Sequence, residues 1–130
     1  MATNFHEFRL GLTKDVRAVQ KERQQLVRAI ALRALRDLIF STRVRYGRAR
    51  GNWQVGEATP PEGYDPNLLD RTGAATLARG LAVIASSSGD RIIWLHNGVP
   101  YIVYLEDGPY VQDKMLEGTF RALEAYVRSL

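Results

Sequence analysis

Three features of the sequence predict an α+β domain. Residues Thr13 to Phe40 run without Pro or Gly and repeat apolar side chains every three or four positions. Two short stretches, "NWQV" and "RIIWLH", have the composition of strands. A second amphipathic run, Lys114 to Leu130, closes the chain. Together they predict a long N-terminal amphipathic helix packed with a C-terminal helix on a small β-sheet. The expected organisation is a flexible arm at 1–12 and a single domain at 13–130, with a Pro/Gly-rich loop at 56–73.

The first helix is expected from Thr13, a good N-cap with Asp15 favourably placed in the first turn. Val16, Val19, Leu26, Val27, Ile30, Ala34, Leu35 and Leu38 form its stripe, and Lys14, Arg17, Lys21, Arg28, Arg33 and Arg36 make the other side basic. Ser41 to Gly51 reads as an irregular connection. In "NWQV", Trp53 and Val55 fall on one strand face. The segment "GEATPPEGYDPNLLDRTG" carries three prolines, three glycines and four acids, so it is a surface loop and a candidate to order on docking.

Ala74–Ala85 is read as a helix capped by Thr72, with Gly80 counting against it. "RIIWLH" (91–96) reads as a buried strand. Residues 97–108, "NGVPYIVYLEDG", support two readings. Asn97-Gly98 signals a hairpin returning through Tyr101–Leu105; Pro100 and Gly108 instead bracket a short helix, to which we lean. In the last helix Leu116, Phe120, Leu123 and Val127 make the stripe, flanked by Glu117/Arg121 and Glu124/Arg128 pairs at i,i+4.

Composition narrows the function classes. The chain has 130 residues, 45% apolar and 25% charged, with no cysteine, so disulfides and thiolate metal sites are excluded. Its longest apolar runs, such as Leu81–Ala85, are too short for a membrane span. Glu7 and the lack of an apolar run near the start argue against a signal peptide. The net charge of +4 is unevenly spread. Residues 1–50 hold 12 Lys+Arg against 4 Asp+Glu, a net +8; residues 51–130 hold 6 against 10, a net −4. Such polarity fits phosphate binding at the basic end, head-to-tail contact between copies, or simple cancellation on folding.

The charge concentrates in "RVRYGRARGNWQV". Arg43, Arg45, Arg48 and Arg50 have no acidic residue between Phe40 and Gln54 to neutralise them. Gly47 and Gly51 let this backbone turn and approach a surface, while the arginines offer forked donors to carboxylate or phosphate. The alternative is a tight corner with solvated arginines. Trp53 is expected in the core. Catalytic signatures are missing: His6 and His96 stand outside any metal pattern, no nucleophile elbow surrounds Ser86–Ser88, and "YGRARG" lacks the Walker spacing. The expectation is a protein without catalytic residues, cofactor or metal.

Two separated segments carry a resemblance. "YGRARGNWQV" (46–55), followed at residue 97 by "NGVPYIVYLEDG" (97–108), resembles the tail-completion, or head–tail joining, family of long-tailed bacteriophages. There a Gly-Arg-x-Arg-x-x-Trp segment follows a long helix, and a Pro-Tyr-Ile/Ala-x-x-Leu-Glu-x-Gly segment follows a strand and precedes a terminal helix. The matching positions are Gly47, Arg48, Arg50 and Trp53 in the first, and Tyr101, Leu105, Glu106 and Gly108 in the second. Arg43-Val44-Arg45-Tyr46 departs from the family's usual residues before the first segment. The resemblance implies a virion structural protein at the neck, assembled as a six-fold ring around the DNA channel. Its partners would be copies of itself, the head connector or adaptor, the tail terminator or tail tube, and genomic double-stranded DNA without sequence preference. Two other readings stay open: a small basic DNA- or RNA-binding protein using the helix and the 43–50 arginines, and a tail terminator of the same assembly.

Overall fold

The computed structural model describes residues 5–107 and 114–130. Its elements are α1 (Phe5–Ser41), α2 (Arg48–Gly51), β1 (Trp53–Glu57), α3 (Ala74–Ser86), β2 (Ile93–Asn97), α4 (Ile102–Asp107) and α5 (Met115–Arg128). Helix α1 is the spine: α3 and β1 pack on it, and so does α5. This is the expected α+β architecture of a long N-terminal helix, a C-terminal helix and a small sheet.

At 1.5 Å per residue, the 37 residues of α1 span about 55 Å. The helix begins at Phe5, so Thr13 is not its cap and the expected arm is helical from Phe5 on. Phe5, Phe8, Leu12, Val16 and Val19 continue the same three-and-four spacing, and Gly11 alone, at about 1 kcal/mol, does not break it. From Val16 on, where side chains are described, the stripe is covered only toward its C-terminal end. Ala31, Ala34, Leu35, Leu38 and Ile39 are buried, whereas Val16, Val19 and Leu26 are exposed.

β1 and β2 pair antiparallel, with Trp53 opposite Asn97, Val55 opposite Leu95 and Glu57 opposite Ile93. Trp53 is buried in the core, and Val55, Ile93 and Leu95 pack against the same cluster from one sheet face. The second strand is therefore half-buried, not buried: Ile92 and Trp94 are exposed, because a two-stranded sheet backed by helices has one wet face. Trp94 still satisfies its ring N–H, donating to the Ala58 carbonyl at 3.1 Å.

The 97–108 segment turns into α4, not into a returning strand. Asn97 is occupied elsewhere. Its Nδ2 donates to the Ala49 carbonyl at 2.7 Å, and its Oδ1 accepts the Val99 amide at 3.1 Å. Ile102 and Leu105 then pack against the core. Gly108 and the side chain of Glu106 lie outside the described residues.

Gly80 favours this fold. It is buried at the crossing of α3 over α1, where an added methyl group would lie 2.3 Å from Leu35 Cδ2 and 3.0 Å from Val55 Cγ2. Gly118 in α5 faces open space. The two glycines should therefore respond oppositely to alanine. Gly118→Ala should stabilise the chain by about 1 kcal/mol through helix propensity. Gly80→Ala should destabilise it by about 1–3 kcal/mol through overpacking. Urea unfolding of both variants checks the contrast.

Candidate functional site

The site grows from the corner after α1. Thr42 is buried at the helix end, where its hydroxyl donates to the Leu38 carbonyl and accepts the Trp53 ring N–H at 2.8 Å. Gly47 then takes the left-handed conformation, φ 89°, and starts α2. Its carbonyl accepts two amides, Gly51 at 2.8 Å and Asp70 at 3.0 Å. A Cβ at Gly47 would lie 2.6 Å from the Asp70 carbonyl carbon and 2.7 Å from the Arg71 nitrogen. Gly51 touches the same strand of loop at Leu68 and Asp70. Both glycines serve close approach, as their spacing suggested, but the surface approached is the chain's own loop.

Two of the four arginines are spent inside the chain. Arg50 donates to the carbonyls of Arg71 (2.7 Å), Thr42 (2.9 Å) and Phe40 (3.2 Å). Arg48 Nε donates to the Pro66 carbonyl at 2.8 Å. All these partners are main-chain oxygens. Loop carbonyls near the corner need donors, and the guanidinium fork can supply several at once. Arg43 and Arg45 differ. Both are exposed and make no hydrogen bond or ion pair among the described residues. The Arg45 guanidinium stacks on Tyr46, 5.2 Å from the ring centre.

The 56–73 segment is tied down as well. Its first two residues extend β1. Asn52 holds Asp65 at both ends, accepting its amide at 2.7 Å and donating to its carbonyl at 2.9 Å. Gln54 donates to the Gly63 carbonyl at 3.0 Å. With Arg48 on Pro66, Gly47 on Asp70 and Arg50 on Arg71, the loop has anchors along its length. These contacts hold the loop from within one chain.

Asp70 links the loop to α3. Its carboxylate accepts the Gly73 amide (3.0 Å), the Thr76 amide (2.9 Å) and the Thr76 hydroxyl (2.6 Å). It is the main cap of α3, ahead of the expected Thr72, whose hydroxyl takes only the Ala74 amide at 3.3 Å. Burial acts to raise the Asp70 pKa, but the hydrogen bonds from Thr76, Gly73 and Thr72 outweigh it and hold the group below the ordinary carboxylate value. Sequence reasoning missed Asn52, Asp70 and Arg79, which donates to the Gly51 carbonyl at 2.8 Å. An Asp three residues before the Gly that opens a helix was the available signal for Asp70.

Strand pairing and the Asn97–Ala49 hydrogen bond bring the two segments of the resemblance together. Arg43, Arg45, Tyr46 and Arg48 border a cleft of about 400 Å³ whose other wall holds Tyr101 and Leu105. Val44 and Ala49 add to its apolar lining. A larger cleft of about 1060 Å³ between α1 and α5 carries charges of both signs, including Arg33, Arg36, Asp37 and Glu117. Among the described residues no group of three His, Asp or Glu could hold a metal ion. His96 is half-buried in β2 with its Nδ1 unpartnered, and the His6 side chain lies outside the described residues. No family model, curated protein or solved structure matches the chain.

A depressed carboxylate stabilises the fold above its unfolded pKa, and that contribution is lost as pH falls through the folded value. For Asp70 the loss falls below the ordinary 3.8. Asp70→Asn, which exchanges a charged acceptor for a neutral one, should cost about 1 kcal/mol at pH 7. Denaturant midpoints of the variant and the parent should converge between pH 7 and pH 2.

Proposed function

We propose that this chain is a structural protein of the phage neck, joining the head connector to the tail by ring assembly and docking around the DNA channel. One observation carries the reading: among the described residues, Arg43 and Arg45 stand exposed and without ionic partners beside an apolar cleft, on a corner fixed by hydrogen bonds. A rigid, positively edged cleft suits recognition of a complementary surface better than turnover. The two segments that resemble the joining family form its walls. The charge split between the N-terminal and C-terminal parts also supports contact between neighbours in a ring. In this reading Arg43 and Arg45 face acidic groups of an adjoining subunit, connector or tail protein, and contact with double-stranded DNA is incidental. Gly47, Gly51 and Trp53 shape the corner, with Arg48 and Arg50 as its internal clamps. No helix among the described residues is long and apolar enough to cross a membrane.

Charge reversal tests this. The double variant Arg43→Glu/Arg45→Glu should keep the parent's melting temperature within about 2 °C, because both side chains are exposed and, among the described residues, only the surface stacking of Arg45 on Tyr46 is lost. It should fail to restore joined particles when supplied to a phage lacking the parent protein. Electron micrographs showing full heads attached to tails without the protein would reject the reading. Loss of micromolar, salt-steep DNA binding in the variant, with particles intact, would favour a nucleic-acid-binding role instead.

A further inference from the structure

The cleft between the 43–49 corner and the 101–105 segment has two chemically different parts. Its floor is apolar: Val44 and Leu105 are half-buried and Ala49 is buried. Two of these are fixed from behind. Leu105 packs against the core cluster, and the Ala49 carbonyl accepts Asn97 Nδ2 at 2.7 Å. The mouth is cationic and aromatic, since Arg43, Arg45, Tyr46 and Tyr101 line the cleft and are exposed. Arg45 is held over the Tyr46 ring. Tyr104 stands one turn beyond Tyr101, whose carbonyl accepts its amide at 3.0 Å, and is 69% exposed. Arginine and tyrosine around an apolar pocket are the side chains that dominate binding between proteins.

Size and chemistry restrict what can enter. A volume of about 400 Å³ is near the lower end for ligand pockets. It admits one or two side chains and not the whole face of a helix. None of the three floor side chains can hydrogen-bond, so the entering group must be apolar; a polar one would lose its water without a partner. At the mouth, Arg43 and Arg45 match carboxylate or phosphate. Two observations favour carboxylate. A nucleic acid carries a phosphate at every nucleotide and is held along a positive track. Here Arg48 donates to the Pro66 carbonyl and Arg50 to three others, which leaves Arg43 and Arg45 as a patch of two among the described residues. A base pushed onto the aliphatic floor would also bury its hydrogen-bonding edge unpaired.

We propose that this cleft docks a short segment of another protein in which one large apolar side chain, such as leucine or phenylalanine, is flanked by Asp or Glu. The apolar group seats on Val44, Ala49 and Leu105, and the carboxylates meet Arg43 and Arg45. The inference rests on the neck reading, which makes this corner the docking site, and adds the kind of segment a connector or tail protein must present there. The two parts of the cleft act differently. Affinity comes mainly from the anchor, which is desolvated on the floor. The carboxylates pair at an exposed rim, where they set orientation and encounter rate more than strength.

Selection of a random dodecapeptide library on the full chain provides the test, with counter-selection on Arg43→Glu/Arg45→Glu. The selected peptides should share a leucine, isoleucine, methionine or phenylalanine beside Asp or Glu. In fluorescence anisotropy, changing the anchor to alanine should weaken a selected peptide by about tenfold or more, and changing its acids to amides by about threefold. Amide chemical shifts should move at Val44, Ala49 and Leu105 when the peptide is added. Tyr101→Ala, on the opposite wall, should also weaken binding and keeps the test valid should the charge variant misfold. No consensus, a basic consensus, or acidic peptides that bind the charge variant equally well would overturn the proposal. Self-association of the chain through these residues, or salt-steep binding of single-stranded DNA at the same amides, would overturn it in favour of a second copy or a nucleic acid. Particles that need the protein while no anchored acidic peptide is selected reject this inference alone; particles that join without the protein reject the neck reading, whatever the peptides do.

Discussion

Everything at the working end of this molecule rests on a backbone meeting a backbone without an intervening side chain. The Gly47 carbonyl accepts the Asp70 amide, and the Gly47 α-carbon lies where a β-carbon would strike the loop. Only because that contact closes can Arg50 reach Arg71, and only then does the Asp70 carboxylate reach the first turn of α3. The end of α1, the loop and the start of α3 are consequently one hydrogen-bonded unit. Any side chain at position 47 would need both a left-handed backbone and space that the loop already fills.

The arginines around that contact illustrate how one residue type divides its labour. A guanidinium offers five donors in a plane and no acceptor, so it can satisfy several carbonyls that no helix or sheet engages. Arg50 does this for three segments at once. The same chemistry, a few residues away and facing solvent, leaves Arg43 and Arg45 without an ionic partner among the described residues. Counting charges along the sequence cannot separate these cases. The distinction depends on which carbonyls the fold leaves without donors, and that is set by a loop some twenty residues further on.

Local pattern made much of the architecture legible. The buried half of α1, the two strands, α3 and the final helix all follow from spacing, while Asn97-Gly98 is ambiguous on local grounds and resolves only through its contact with Ala49. What stayed hidden was long-range. The Asn52–Asp65 clasp joins residues with no shared periodicity. Gly80 looks like a weakness of α3 until the α1 crossing explains it. The stripe of α5 is present as read but is not the face that meets α1, because apolar spacing states which face of a helix is greasy and not which neighbour that face meets. The start of α1 was misjudged because a good cap residue, Thr13, sits inside a periodicity that runs through it. Of the site, the arginines and glycines were visible, but the Tyr101/Leu105 wall was suggested only by resemblance.

The spine itself is supported along only part of its length. From Val16 to Arg23 every residue of α1 is exposed, and the first side-chain link to the body among the described residues comes at Gln24, whose amide donates to the Asp90 carboxylate at 2.9 Å. Arg28 follows, gripping the Ser87 carbonyl at 2.6 Å. A helix cooperates along its length but draws tertiary support only where it is covered. Backbone amides from Val16 to Arg23 should trade hydrogen for deuterium by fraying of the helix alone, while those after Ala31 wait for the whole domain to open. A single continuous rod thus behaves as two mechanical parts, an outrigger and a keel, with the polar clasp at Gln24 marking the joint.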